Sequence, residues 1–223
     1  MTGVAIVSLD CEGKWGVADH LATGGAACLT DERLRWAYRS ITGALDRLNV
    51  PATFAFVELF LYADHARQLD LTRRLSAGQP YLRAAVDAVA GLDEGWSAPW
   101  ALDLIHHRHE IATHGLSHTP WDQLTEAQAS AELELVPAER RRSIIFPRNR
   151  VRHAGLLRQH GCLGYRAARP AVSRLASLAS EFDLFTASDR DEGGGLGRRQ
   201  RADAKRAAQA PCGADEDTGE GDQ

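Results

Sequence analysis

From Val4 to about residue 186, short runs of strand-type residues alternate with stretches of helical periodicity, and no other feature restricts the fold as much. Strand and helix in succession require crossover connections, which predicts an α/β domain built on parallel strands. Val4-Ala-Ile-Val-Ser-Leu9 has the length and bounding turn signals of a buried parallel strand. Leu34, Tyr38, Ile41, Leu45 and Leu48 then mark one helical face, with Thr30 as N-cap and Asn49-Val-Pro51 as the stop.

Ala52-Thr-Phe-Ala-Phe-Val57 reads as a second strand and Glu110-Ile-Ala-Thr113 as a third. Between them, residues 60–107 hold two or three helices around the turn Ala77-Gly-Gln-Pro80, and this long insertion has the size of a lid or specificity subdomain. Thr125-Glu-Ala-Gln128 is a capping box that opens another helix. Ser143-Ile-Ile-Phe146, Gly164-Tyr-Arg-Ala167 and Phe182-Asp-Leu-Phe185 supply weaker strands, with helices expected at about 150–161 and 170–181.

After Phe185 the character changes. Residues 186–223 contain no aromatic residue and one large aliphatic, Leu196, amid Gly, Ala, Arg, Asp and Glu. Such a segment buries too little apolar surface to offset its ordering entropy. The expected organisation is therefore one domain over residues 1–186 and a disordered tail over 187–223. The run Gly193-Gly-Gly-Leu-Gly197 in that tail is a flexible linker, since no Lys-Ser or Lys-Thr follows it as in a phosphate loop.

The net charge of −4 and the lack of a basic block in the folded part argue against nucleic acid and anionic membranes as partners. The apolar opening is too short for a secretory signal, and no apolar span has the length of a transmembrane helix. Cys11, Cys28, Cys162 and Cys212 show no short-range pairing, which predicts reduced thiols and a cytoplasmic location.

The chemistry concentrates in His109-Glu-Ile-Ala-Thr-His-Gly-Leu-Ser-His118. His114 and His118 are four apart, so a helical turn there would bring both rings to one ion. This is not the zinc-protease motif, which needs a Glu directly after its first His. A third ligand is required, and Asp10 and Glu12, two apart at the end of the first strand, point to one side by strand alternation. Acids after one strand and histidines after another match the end at which parallel α/β barrels build their sites. The bland alternative for all four is polar side chains satisfied by hydrogen bonds.

Ser8-Leu-Asp-Cys-Glu-Gly13, Ala52-Thr-Phe-Ala-Phe-Val57, the His114-Gly-Leu-Ser-His118 box and Ile144-Ile-Phe-Pro-Arg-Asn149 together resemble, in order, the motifs of polysaccharide deacetylases, the NodB-like carbohydrate esterases. The resemblance covers about residues 4–170. It implies a distorted (β/α) barrel, incomplete at its C-terminus, and removal of N-acetyl groups from an N-acetylated carbohydrate. Carried over, Asp10 is the catalytic base, while Glu12, His114 and His118 hold a divalent metal, most simply zinc. The metal then polarises the acetamide carbonyl and acidifies the attacking water, whose pKa falls to roughly 7 on zinc.

Other residues follow from the same likeness. Phe146-Pro-Arg-Asn149 occupies the place of a groove motif of which only Pro147 matches, so Arg148 and Asn149 are candidate substrate contacts. Arg166 sits near a further motif and is a third such contact, a surface ion pair being the plainer reading. Trp15 and Trp121, beside the ligands, are expected as sugar-stacking platforms, although core packing is the commoner use of tryptophan.

The family's terminal histidine, which protonates the leaving amine, has no counterpart, since no histidine follows His160. His153 and His160 are the available stand-ins, whereas His106 and His107 read as solvated. The expectation is a truncated or frame-shifted family member. Two further functions stay open: a catalytically impaired remnant that binds metal or sugar, and a C–N hydrolase acting on a small amide or ureide.

Overall fold

The structure is a computed structural model that describes residues 5–21, 26–166 and 185–186. These belong to a unit ending at Thr186; the tail over 187–223 and the helix expected at 170–181 lie outside the described residues. Among the described residues, six strands form one sheet: β1 (Ala5–Cys11), β2 (Ala52–Phe56), β3 (Glu110–Thr113), β4 (Ser143–Ile145), β5 (Gly164–Arg166) and β6 (Phe185–Thr186). Their order is β5-β4-β3-β2-β1-β6, with β1 to β5 parallel and β6 antiparallel to β1.

Sequential parallel strands never reverse their order here, so the sheet winds one way, as barrels do, and curls into a half-barrel. Register makes the curl legible. Asp10 pairs with Ala55, Ala55 with Ala112, and Ile145 with Arg166. Ala55, Ala112 and Ile145 pack together on the concave face. Small alanines in the middle of this layer leave room for long side chains from β1 and β5 to reach each other across it.

The convex face carries the larger core. Cys11, Phe54 and Phe56 pack there against Leu34 and Tyr38 of α1 (Asp31–Arg47). Thr30 caps α1 by accepting a hydrogen bond from the Arg33 amide, as the sequence predicts, but Leu48 ends the stripe exposed because the helix has already closed at Arg47. The insertion between β2 and β3 holds α2 (His65–Ser76) and α3 (Arg83–Ala90), joined by the 3-10 turn Pro80–Leu82. Its members belong to the same core, through Leu71, Tyr81, Leu82, Ala85 and Val89. The insertion is thus packed into the domain.

A second cluster, around Trp121, Leu133, Ile144 and Phe146, joins α4 (Glu126–Leu135) to β4. Thr125 and Gln128 form the reciprocal capping box at the start of α4. The helix expected at 150–161 is reduced to α5 (Gly155–Gln159), since His153 adopts φ +53°, outside the helical region. No helix among the described residues is long and apolar enough to cross a membrane. Among the described residues, Cys11 and Cys162 are free thiols, as the sequence predicts.

Candidate metal centre

Glu12 follows the last residue of β1, and His114 follows the last residue of β3. Both therefore lie at the C-terminal edge of the sheet. The loop after β3 does not become a helix, as the four-residue spacing suggested. Instead Gly115 at φ +84° and His118 at φ +62° fold it back, and it is stitched to the loop after β2 by Glu58 N–H to Gly115 O (2.9 Å) and Leu59 N–H to Leu116 O (3.0 Å). A non-glycine residue in the left-handed region is a strained feature that packing must hold in place.

Glu12, His114 and His118 each offer one ligand atom, all within 4.8 Å of one another. Glu12 Oε2 is 2.7 Å from His118 Nε2 and 3.2 Å from His114 Nε2. Asp10 Oδ2 stands 3.8 Å from His114 Nε2, with a third of its side chain (33%) open to solvent. Cys11, between the acids, faces the convex core, and burial pushes its thiol far up, so it is no nucleophile.

The outward ring nitrogens point the other way. His114 Nδ1 lies 2.7 Å from the Ile145 carbonyl, an acceptor only, so Nδ1 carries the proton and Nε2 presents its lone pair. His114 Nε2 is buried and has no hydrogen-bond partner, because Glu12, though near, is out of line. A buried orphan nitrogen facing a carboxylate and a second imidazole is what a divalent cation would satisfy. The three residues therefore fit a metal ion, with Asp10 left over beside it.

Charge in the cluster is tightly coupled. Burial alone would raise the Glu12 carboxyl, but His118 and then His114, when protonated, outweigh it and hold it well below the usual carboxylate range. Burial depresses His118, whereas for His114 the carboxylates of Glu12 and Asp10 overcome burial and raise it.

Arg166, expected to touch substrate, reaches across the concave face to Asp10. Its guanidinium donates to Asp10 Oδ2 (2.9 Å), Ser8 Oγ (2.9 Å) and Asn149 Oδ1 (3.0 Å). Asn149 is thus also committed to this cluster. Arg148 and Asn149 both sit at φ +54°, and Arg148 donates to Asp19 Oδ1 (2.6 Å) with its guanidinium 5.2 Å from the Tyr81 ring centre.

Trp15 and Trp121 are corrected. Both are fully enclosed, which leaves no ring face for a sugar. Trp15 donates through Nε1 to the Trp96 carbonyl (2.9 Å), and Trp121 packs edge-on against Phe146. His109 stays outside the cluster, accepting from the Ala52 amide through Nδ1 (3.1 Å). His153 contacts the Leu124 carbonyl (2.8 Å) and His160 the Ser130 hydroxyl (2.9 Å), so neither stand-in acid reaches the site.

Two contributors have no local sequence signal. A Cβ on Gly16 would fall 1.9 Å from Glu12 Oε1, so that glycine makes space for the carboxylate. Tyr81, from the insertion, bonds His118 Nδ1 at 2.8 Å. No protein-family model, curated protein or solved structure matches the chain.

Proposed function

We propose that the chain is a zinc-dependent hydrolase that removes N-acetyl groups from an N-acetylated sugar or polysaccharide. The observation that carries this reading is the convergence of Glu12, His114 and His118 on one point, with Asp10 alongside but outside the trio. When bound there, the ion supplies Lewis acidity, polarising an amide carbonyl and acidifying water. Asp10 accepts the proton. Arg166 engages Asp10 Oδ2 and so fixes the orientation of the carboxylate.

The catalytically impaired alternative draws on one observation: His153 and His160 are engaged elsewhere, so neither stands ready to protonate a leaving amine. A small amide or ureide substrate would use the same ion and base.

Metal content by plasma mass spectrometry, with circular dichroism on the same samples, tests the centre in wild type and in the double variant His114→Ala, His118→Ala. The expected result is about one equivalent in the wild type, lost in the variant while the fold persists. Acetate release from chitooligosaccharides, set against a panel of amides and ureides, then tests the substrate class. A folded wild type that takes up no zinc, cobalt, nickel or manganese would overturn the reading.

A further inference from the structure

We propose that Tyr81 is a positioning residue for His118, setting the tautomer in which its Nε2 is free to ligate. The proposal rests on the metal-centre reading of His118.

Tyr81 Oη lies 2.8 Å from the Trp15 carbonyl and 2.8 Å from His118 Nδ1. A carbonyl only accepts, so the single phenolic proton goes to Trp15, and the oxygen must accept from His118 Nδ1–H. Nε2 then carries the lone pair, aimed at Glu12 Oε2. Without this constraint the competing tautomer is favoured, because Glu12 Oε2 at 2.7 Å would draw the proton to Nε2 and block ligation.

The same short turn grips the neighbouring residues. Gln79 Oε1 accepts from Thr119 Oγ1 (2.7 Å) and lies 3.2 Å from Ser117 Oγ, so residues 117, 118 and 119 each contact Gln79 or Tyr81. That clasp holds His118 at its left-handed φ of +62°. Through Trp15, one oxygen also ties the loop carrying His118 to the segment that follows Glu12. The insertion between β2 and β3 thereby becomes part of the site's scaffold.

The test compares wild type with Tyr81→Phe, which removes only the hydroxyl. Nitrogen-15 shifts of the His118 ring, read in metal-free protein where the ring is neutral, should show the Nδ1–H form in wild type and a shift toward Nε2–H in the variant. Zinc affinity by chelator competition should fall about tenfold to a hundredfold with an unchanged far-ultraviolet dichroism spectrum. Wild-type His118 carrying its proton on Nε2, or a variant binding zinc within about twofold of wild type, overturns the assignment. If the variant does not fold, or if the wild type takes up no zinc, the wild-type tautomer still decides the role of Tyr81, and only the second of these outcomes removes the metal centre.

Discussion

Arg166 donates to Asp10 at 2.9 Å although β2, β3 and β4 lie between their strands. In a flat sheet, four strand spacings would put them roughly 19 Å apart, more than the two side chains together span. The contact is therefore a direct consequence of the curl and of the alanines in the intervening layer. It also makes β5, at the far edge of the parallel sheet, part of the site.

On the proposed function, replacing Asp10 by Asn should leave metal content at the wild-type level while lowering the rate of acetate release about a hundredfold to ten-thousandfold, the range for loss of a general base. Arg166→Leu, which frees the carboxylate, should lower kcat by up to about a hundredfold with metal retained. Parallel metal analysis and steady-state kinetics check both. Loss of metal in either variant would contradict the division of labour between Asp10 and the trio.

Gly16→Ala should separate binding from folding. The added methyl would meet the far end of the Glu12 side chain, which can swing aside at little cost to stability but then no longer points at the histidines. The expected outcome is a near-normal thermal midpoint with zinc affinity reduced tenfold or more, on the order of the loss when a ligand's support is removed. Thermal denaturation beside chelator competition reads both quantities.

Glu132 of α4 lies buried behind the histidine loop, accepting from Gln79 Nε2 (2.7 Å) and Ser117 Oγ (3.0 Å). Burial pushes its carboxyl up from 4.5 to about 6. Between those values the folded state keeps a proton the unfolded chain has released, so stability falls as pH rises through this window. The penalty, about 2 kcal/mol at 1.4 kcal/mol per pH unit, is complete above pH 6. Glu132→Gln does not titrate, so its stability relative to wild type should rise by that amount across the window. Urea denaturation at several pH values measures it.

Glu58, almost wholly buried, pairs with Arg140, whose Nε and Nη2 donate to its two carboxylate oxygens. The pair joins the loop after β2 to the segment before β4. Arg140→Met leaves a buried carboxylate without its partner and should destabilise the domain by about 3–5 kcal/mol. Replacing both residues with apolar ones of similar volume should cost much less, and chemical denaturation distinguishes the two.

Much of the local structure was legible in the sequence. Thr30 and Thr125 cap α1 and α4 because a hydroxyl reaches an amide only three residues away. Apolar spacing identified α1, and the short runs at 52–56 and 110–113 are strands near their expected bounds. Asp10, Glu12, His114 and His118 could be picked out as candidates because they cluster at or beyond strand ends, where side chains collect in a singly wound parallel sheet, while the choice of Glu12 over Asp10 as ligand came from the family resemblance. These are features that a few neighbouring residues specify among themselves.

Only the tertiary structure decided what those residues touch. Tyr81 meets His118 across 37 positions and Arg166 meets Asp10 across 156, separations over which periodicity says nothing. Trp15 and Trp121 were expected as platforms until burial enclosed them, because aromatic character is the same on either side of a surface. Gly16 gave no sign of its role, since the space it leaves is defined by a carboxylate that folds back over it. The sequence thus determined which groups could bind an ion, while the curl of the sheet and the packing of the insertion decided which of them converge and how each is held.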